Sequence, residues 1–594
     1  MKIKSAKNSV KEFLLKLAKR PETYIILVGI ILRFILAYKV GFHYYSAQGY
    51  DDNLLASYAF PSHWTNPSIN SLLKTMSFPL LLDLAYVLHI DYASLLCIIW
   101  VITALTVYKT CSYISNKRVL SIFAFLYTLY FPTAFESWMG TRLYRNAIIA
   151  PFTIILISIL LLIFFKIKRN EYSNKGLICN GLLLGCVFSF SYYIKEDGLW
   201  MLAVLLFFIV CYLGYLTFNF FKKEKNRRKF IIFTISIFIP LMFFGTTTIA
   251  YKQVNKHFFG VAEVETRNGG ELGKYVANVY KIESNNRDYK HWAPKDAIIK
   301  SFKASKTLSK YPKLLNSILH SSWYNGNIEK NPIEGDFYTW VLRSSLSETK
   351  IWKSEKQIND LFKKVNSELS EAFKSGELKK DNKIQLFSSA GGRTMKEIYT
   401  LFPIVRDSFE EAIALDSYAP GSIVGESLDK ENTEATMRLT RTNYLMDYNY
   451  DGTLVNSEQA NKVITYIFDI YSVLNPILFF LAIIMAIYQV LRLLVNFKNV
   501  KSNISKWSDS IIKMLMICVL FGVGIAYAFS ISWFDQFLLN GTRQNNFYIQ
   551  NFYTIALPGI LLVIYMLGLD LLFENVKNIF SKFRNNENKT KSIE

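Results

Sequence analysis

Long apolar stretches alternate with short polar loops along most of the chain. Ten of these stretches reach the ~17–25 residues that a helix needs to cross the hydrocarbon core of a bilayer. They cover residues 23–41, 92–114, 119–135, 148–165, 177–193, 199–221, 230–250, 466–491, 510–533 and 550–573. The pattern predicts a polytopic α-helical membrane protein with about ten transmembrane helices.

One long polar segment interrupts this pattern between the seventh and eighth apolar stretches. Residues 251–465 contain no membrane-length apolar run, and their basic and acidic residues nearly balance. Apolar positions spaced by three and four predict helices over 296–321 and 353–375. A segment of this size is long enough to have its own core. We therefore expect a mainly helical domain between spans 7 and 8, which we call the inserted domain.

Basic residues are distributed unevenly among the connecting segments. One set of segments holds 28 Lys and Arg, whereas the short loops of the other set hold five. Cytoplasmic loops of membrane proteins carry an excess of Lys and Arg, so both termini are expected in the cytoplasm and the inserted domain outside. The expected order is a basic cytoplasmic N-terminus (1–22), a seven-span membrane module (23–250), the inserted domain (251–465), three further spans (466–573) and a basic cytoplasmic tail (574–594).

Composition agrees with a multi-pass protein of the plasma membrane. The 594 residues are 51% hydrophobic, 16% aromatic and only 19% charged. These values exclude a disordered chain, a disulfide-rich secreted scaffold and an ordinary cytosolic enzyme. The net charge of +22 follows from the topology and does not indicate binding to nucleic acid. A Walker loop and a GxGxxG turn are absent, which excludes a nucleotide-driven pump. The abundance of Lys, Asn and Ile favours a bacterial source.

The loop after the first span, residues 42–78, contains two adjacent carboxylates. Asp51 and Asp52 open a stretch with helical spacing, where acidic side chains favour a helix N-terminus. One interpretation is helix capping alone. The other is a carboxylate at the outer membrane face that acts as a general base or orients an acceptor hydroxyl. Asp51 is the favoured base and Asp52 the favoured cap, because Asp51 directly follows Gly49 and Tyr50, where the chain can turn.

A fixed order of motifs runs through this region: the intramembrane Arg33, Tyr50-Asp51-Asp52, Trp64 and the stretch from Leu73 to Pro79. This order resembles the start of the GT-C superfamily of membrane glycosyltransferases, which includes protein O-mannosyltransferases and aminoarabinose transferases. The resemblance covers about residues 1–250. The sequence departs from the family pattern in three ways: it has Asp-Asp in place of Asp-Glu, a looser spacing between Lys74 and the following proline, and a soluble domain between the spans.

The resemblance implies a catalytic aspartate in loop 42–78 and a sugar donor linked to polyprenyl phosphate. It also implies that the next outer loop supplies an arginine and a second acid. Glu136, Arg142 and Arg145 lie in that loop. Two guanidinium groups three residues apart share a helix face and suit a phosphate. The alternative for such a pair is interaction with lipid headgroups.

Two more loops supply candidate site residues. A tight turn contains Lys195, Glu196 and Asp197. We interpret it either as the cap of span 6 or as a further wall of the cleft that binds the acceptor. Arg543 is the cation of the last outer loop and is a candidate for the donor phosphate, or an interfacial anchor. The full set of candidates is Asp51 and Asp52 as catalytic residues, Lys74, Arg142, Arg145 and Arg543 at the donor phosphate, and Tyr50, Glu136, Lys195, Glu196 and Asp197 in the acceptor cleft.

A divalent cation is an open question at this stage. His43 and His63 flank Asp51 and Asp52 and are candidate ligands. No close-spaced pair of ligands supports such a site.

The expected function is transfer of a sugar from a polyprenyl-phosphate donor to a glycan, lipid or protein acceptor of the cell envelope. Such an enzyme belongs to cell-wall or polysaccharide biosynthesis, and a single displacement would invert the anomeric carbon. The alternatives are a flippase or transporter for lipid-linked sugars and a polysaccharide polymerase or ligase. The sugar, the acceptor and the oligomeric state do not follow from the sequence.

Overall fold

The computed structural model describes residues 20–40, 44, 51–169, 171, 173–222, 227–420, 435–436, 438–441, 458–495, 504–539 and 543–590. Up to the inserted domain the helices are α1 (Pro21–Val40), α2 (Asp51–Ser57), α3 (Ser62–Thr65), α4 (Ser77–Val87), α5 (Tyr92–Ser115), α6 (Arg118–Leu129), α7 (Asn146–Lys168), α8 (Asn174–Tyr192), α9 (Leu199–Lys222) and α10 (Arg227–Phe259). The inserted domain contains α11 (Gly270–Val279), α12 (Lys295–Ala304), α13 (Pro312–Leu319), α14 (Phe337–Glu348), α15 (Glu355–Ser375), α16 (Met395–Tyr399) and α17 (Leu401–Ala414). The last helices are α18 (Glu458–Val495), α19 (Ile504–Asp535), α20 (Arg543–Tyr553) and α21 (Ala556–Thr590).

Nine helices in the described part of the chain are long and apolar enough to cross a membrane. They are α1, α5, α7, α8, α9, α10, α18, α19 and α21. The prediction of a polytopic helical membrane protein is thereby confirmed. The membrane concerned and the sidedness of the termini stay predictions.

The predicted third span, 119–135, is not one continuous membrane-length helix. The α-helix α6 has 12 residues, about 18 Å at helical rise, against about 30 Å of hydrocarbon. Phe131 adopts an extended conformation before Pro132, as the residue before a proline tends to do, and this interrupts the helix. The chain nevertheless returns across the bundle here. Hydrogen bonds join the start of α5 to Arg142 and a later turn of α5 to Ser158 of α7, so α5 and α7 run in the same direction.

The predicted tenth span also begins later than residue 550. The helix α20 ends at Tyr553, and α21 starts at Ala556 after a two-residue break. Pro558 lies in the first turn of α21, where the missing N–H group costs nothing. Residues 550–553 therefore belong to the loop region before the last span, and α20 runs beside the site described below.

Of the two helices predicted in the inserted domain, one is confirmed and one was wrong. Helix α15 closely matches the predicted 353–375, with a Ser354 N-cap and a left-handed Gly376 at its C-terminus. The predicted 296–321 is instead two helices, α12 and α13, separated by a short 3-10 turn. Helix α12 ends where Ser305 adopts an extended conformation, and Pro312 starts α13 after disfavouring the helical conformation at Tyr311.

The inserted domain packs onto one end of the helix bundle. Its core includes Trp533 from the end of α19, Phe537 from the 3-10 turn that follows α19, and Ile69 from loop 42–78. Buried Arg343 of α14 donates hydrogen bonds to the Ile69 carbonyl and to both oxygens of Thr266, and the Thr266 N–H group donates to the Leu72 carbonyl at 2.7 Å. These bonds fix loop 42–78 against the domain. The candidate site lies along this junction.

Candidate functional site

A cavity of about 1700 Å³ lies between the inserted domain and this end of the bundle. Loop 42–78, the α6–α7 connection, the α8–α9 turn, α14, α19 and α20 all contribute to its lining. The sequence-predicted candidates that line it are Asp51, Lys74, Arg142, Arg145, Lys195, Glu196 and Asp197. The structure therefore brings together residues from three loops that are far apart along the chain.

The two adjacent aspartates of α2 lie in different environments. The Asp51 side chain is 26% exposed, whereas the Asp52 side chain is fully buried. Successive residues of a helix point about 100° apart, so only one of the two faces the cavity. Asp51 faces it, and Asp52 points into the protein.

Asp52 forms a buried pair with Arg142. The Arg142 Nε donates to Asp52 Oδ1 at 2.8 Å, and Nη2 donates to Oδ2 at 2.5 Å. The guanidinium also lies over the rings of Trp138, Tyr144 and Phe552 at about 5 Å. This two-bond geometry uses the fork that a phosphate would otherwise occupy. In this structure Arg142 joins α2 to the α6–α7 connection.

A tight turn places Arg142 in this position. The Gly140 N–H group donates to the Glu136 carbonyl at 2.8 Å. A β-carbon at Gly140 would lie 1.9 Å from the Thr133 carbonyl oxygen, so only glycine fits there. The turn therefore depends on Gly140 and directs the following residues toward α2.

Asp51 forms the corresponding pair on the cavity side. Its carboxylate accepts a hydrogen bond from Lys74 Nζ at 2.5 Å and one from the Tyr144 hydroxyl at 3.3 Å. Burial alone would raise the pKa of Asp51, but the charges of Lys74 and Arg145 lower it below the usual value. Burial lowers the pKa of Lys74 to about 8 against the opposing attraction of Asp51. Asp51 is therefore ionised at neutral pH, and Lys74 can lose its proton in mildly alkaline solution.

Glu196 links the membrane module to the inserted domain. It accepts a hydrogen bond from Arg145 Nη1 at 2.7 Å, and Arg267 Nη1 lies 4.0 Å from its second oxygen. Burial would raise the pKa of Glu196, but Arg145, Lys74 and Arg267 together hold it well below the usual range. Glu196 therefore stays charged and holds two guanidinium groups at the cavity surface.

Arg267 and Asp336 were missed by the sequence reasoning. Both line the cavity, and Arg267 pairs with Asp336 in the inserted domain. The carboxylate of Glu265 accepts three successive backbone N–H groups, from residues 267 to 269, and so holds Arg267 in a tight turn. The nearest sequence signal is the Gly269-Gly270 pair after Arg267. The proximity of Arg267 to Glu196 depends on tertiary packing that no local pattern reveals.

Of the other described candidates, Lys195 and Asp197 line the cavity and Glu136 lies behind its wall. Lys195 Nζ lies 3.3 Å from Asp197 Oδ2 on the cavity wall. Glu136 does not line the cavity, since it is 1% exposed and its carboxylate accepts the N–H groups of Trp138 and Met139. Burial raises the pKa of Glu136 to about 8. Its place in the predicted acceptor cleft is corrected to a support behind Trp138, which does line the cavity.

Four candidates are not placed in the cavity, three of them because their side chains are not described. Tyr50 and His43 lie outside the described residues, as does the side chain of Arg543, the first residue of α20. His63 is buried against the rings of Tyr58, Trp64 and Phe259, and burial lowers its pKa to about 4. Within the described part of the chain, no three His, Cys, Asp or Glu side chains form a group suited to a metal ion. The possibility of a divalent cation stays a prediction.

The charged part of the cavity continues into an aromatic and apolar part between α9 and α19. Leu199, Trp200 and Ala203 of α9 line it opposite Val523 and Tyr527 of α19. The rings of Trp200 and Tyr527 lie 4.9 Å apart. The cavity thus joins a charged surface with a less polar surface between two membrane helices.

Charges in the cavity are balanced. Its lining includes five basic and five acidic residues, and the cations Lys74, Arg142, Arg145, Lys195 and Arg267 each lie within 4.0 Å of a carboxylate. An anionic ligand that enters this network must share or exchange these partners. No protein-family model, curated protein or solved structure matches the chain, so the resemblance to the GT-C superfamily rests on the sequence motifs alone.

Proposed function

We propose that the protein is a membrane glycosyltransferase that takes a sugar from a polyprenyl-phosphate donor and passes it to a hydroxyl group of a cell-envelope acceptor. The observation that supports this most strongly is the Asp51 carboxylate. It is ionised, partly exposed in the cavity, and bonded to Lys74 close to Arg145 and Arg267. A base beside several cations matches the needs of sugar transfer from a phosphate ester.

The proposed reaction is a single displacement at the anomeric carbon. The acceptor oxygen forms a bond to C1 while the bond between C1 and the phosphate oxygen breaks with its electron pair. The hydroxyl proton goes to Asp51, and polyprenyl phosphate leaves with one more negative charge than it had in the ester. Lys74, Arg145 and Arg267 stabilise that charge.

Donor binding changes the basicity of Asp51 in this scheme. Without a ligand, Lys74 is held by Asp51 at 2.5 Å and lowers the pKa of the carboxylate. A phosphate that attracts the ammonium group weakens this effect, so the pKa of Asp51 rises and the carboxylate becomes a better base. The acceptor is then activated only when the donor is in place.

The apolar part of the cavity supports a lipid-linked donor. Residues of α9 and α19 line the cavity next to its charged part, including Trp200 and Tyr527. A polyprenyl chain lying between these helices would place its phosphate beside the cations. A soluble nucleotide sugar would have no use for this surface.

The main alternative is a transporter for lipid-linked sugars, because a large cavity with paired charges also suits a ligand that is bound and released unchanged. Purified protein in proteoliposomes, supplied with a panel of radiolabelled polyprenyl-phosphate sugars, separates the two. The proposal predicts that label from one donor moves to an envelope acceptor and that polyprenyl phosphate is released. Movement of intact donor across the bilayer, with no release of polyprenyl phosphate, would support the transporter instead.

A further inference from the structure

The inserted domain presents an ordered aromatic pair to the cavity. Trp323 and Trp340 have nearly parallel rings, with centroids 6.2 Å apart and an interplanar angle of 24°. Both line the cavity, and the Trp323 side chain is 47% exposed. Ligand pockets are lined mainly by hydrophobic and aromatic side chains with a few polar groups, so this pair is a candidate binding surface.

A rigid turn holds Trp323 in this exposed position. It lies in a short 3-10 turn capped by Ser321, and the chain then bends through two residues with positive φ, Asn325 (53°) and Gly326 (72°). The Gly326 N–H group closes the turn on the Ser321 carbonyl at 3.0 Å. The indole Nε1 donates to Ser344 Oγ at 3.4 Å. The ring is therefore oriented before any ligand binds, which lowers the entropic cost of binding.

Polar groups surround the aromatic pair on the cavity side. Asn268, Ser344, Ser347 and Glu348 line the cavity together with the two tryptophans. A tryptophan that anchors a protein in the membrane interface has its ring among lipid-facing apolar residues, whereas hydroxyl, amide and carboxylate groups beside an indole face are suited to a sugar. The apolar C–H face of a pyranose ring is complementary to the electron-rich face of an indole.

The pair also leads directly to the proposed base. Lys74 Nζ lies 5.3 Å from the centroid of Trp340 and 2.5 Å from Asp51. A sugar chain stacked on the tryptophans therefore has its end next to the carboxylate. We propose, resting on the transferase function above, that Trp323 and Trp340 form a stacking subsite for an oligosaccharide acceptor. The acceptor class is then a glycan of at least two sugars, whose terminal hydroxyl group reaches Asp51.

The test compares acceptors of different length. Purified protein with its lipid-linked donor is given mono-, di- and trisaccharide fractions of the cell-envelope polysaccharide, and KM and kcat are measured for each. We expect a lower KM for the disaccharide than for the monosaccharide. Trp323→Ala should raise the disaccharide KM roughly 2- to 10-fold, as for loss of one aromatic stacking contact, and leave the monosaccharide KM and kcat unchanged. Trp323→Phe, which keeps an aromatic face, should restore part of the difference.

Tyr399→Ala is the matched control, since Tyr399 is a 65% exposed aromatic residue of the same domain that does not line the cavity. It should behave like the wild type. Equal KM values for wild type and Trp323→Ala at every acceptor length would overturn the subsite and leave the transferase intact. Absence of transfer by the wild type with every donor would refute both proposals.

Vesicles containing brominated phosphatidylglycerol test the competing explanation of a membrane anchor. If the bromolipid quenches part of the wild-type tryptophan fluorescence and this quenched part is absent from Trp323→Ala, the Trp323 indole lies in the bilayer and the subsite is overturned. Quenching that is the same in both proteins supports it.

Discussion

Two clusters of buried charges lie at opposite ends of the helix bundle. The first is the cavity cluster around Asp51 and Glu196. The second joins Lys513 of α19 to Asp570 and Glu574 of α21, with Lys513 Nζ 2.6 Å from Asp570 Oδ2 and in contact with Glu574. Both clusters contain charged side chains that are almost fully buried. Burial and pairing therefore do not distinguish them.

Access does distinguish the two clusters. The cavity cluster borders about 1700 Å³ of open space, whereas Asp570 borders a cavity of only about 30 Å³. Among the described residues, the Lys513 cluster joins two membrane helices beside a cavity too small for a substrate. The same contrast exists within α2, because Asp52 is sealed against Arg142 while Asp51 faces the cavity. A buried charge is a candidate for chemistry only where a ligand can reach it.

The largest expected effect is on the rate of transfer after Asp51→Asn. The amide cannot accept the hydroxyl proton, so the rate should fall by about 10²- to 10⁴-fold. Buried Lys74 loses its charged partner, but the amide oxygen can still accept its hydrogen bond, so the melting temperature should fall only moderately and transfer is compared per folded molecule. Asp83→Asn, an exposed aspartate of α4 that does not line the cavity, is the control and should transfer normally. Near-normal transfer by Asp51→Asn would mean that the cavity cluster, like the Lys513 cluster, has no catalytic role.

The second effect is on stability after Lys513→Met. Asp570 then remains buried without its cation, which costs about 3–5 kcal/mol in a buried ion pair, and the 26% exposed Glu574 loses the same partner. We expect a lower melting temperature and poorer accumulation in the membrane. The triple variant Lys513→Met, Asp570→Asn, Glu574→Gln should regain much of the stability. Transfer per folded molecule should equal that of the wild type, and a selective loss of transfer would show that this cluster also has a functional role.

A third effect is expected on use of the donor after Arg267→Lys. The charge remains, but the planar fork that holds a phosphate oxygen pair is lost. One hydrogen bond to a charged group is worth about 1.5–3 kcal/mol, so kcat/KM for the donor should fall roughly 10- to 100-fold. Arg406→Lys is the control, since the Arg406 side chain is 73% exposed and lies outside the cavity. If both variants use the donor equally well, Arg267 has no role at the phosphate.

The smallest effect is on the pH dependence of donor use. Burial lowers the pKa of Lys74 to about 8 in the free protein, and in the proposed reaction the phosphate binds the protonated form. kcat/KM for the donor should therefore be constant below about pH 8 and fall by up to about tenfold per pH unit above it. Lys74→Arg keeps its proton throughout this range and should abolish the fall. A wild-type profile that stays flat to pH 10 would exclude Lys74 from the donor site.

Sequence patterns predicted the membrane helices well because a span must be both long and apolar. Helix ends depended on local exceptions to that rule. Pro132 shortens α6, an extended Ser305 ends α12 within the predicted 296–321 helix, and the break before Ala556 delays the last span. In the two membrane segments the apolar composition continues through a position where the backbone leaves the α-helical conformation. Hydropathy alone could not show this.

The candidate site was predictable only in part. Four of the residues predicted from the short loops line one cavity, namely Asp51, Lys74, Arg145 and Glu196. The burial of Asp52 with Arg142 and the position of Glu136 behind the wall depend on which way a side chain points. The contribution of Arg267 depends on a contact between segments distant in sequence. Neither kind of information is present in a local pattern.

The central claim is one displacement at C1 of the sugar, with Asp51 as base and nearby cations at the phosphate. A single-turnover reaction with a donor labelled with ¹³C at C1, followed by NMR, tests it most directly. The account predicts that glycoside and polyprenyl phosphate appear at the same rate and in equal amounts, with the configuration at C1 inverted. A product with retained configuration, or donor that binds and is recovered intact, would contradict it.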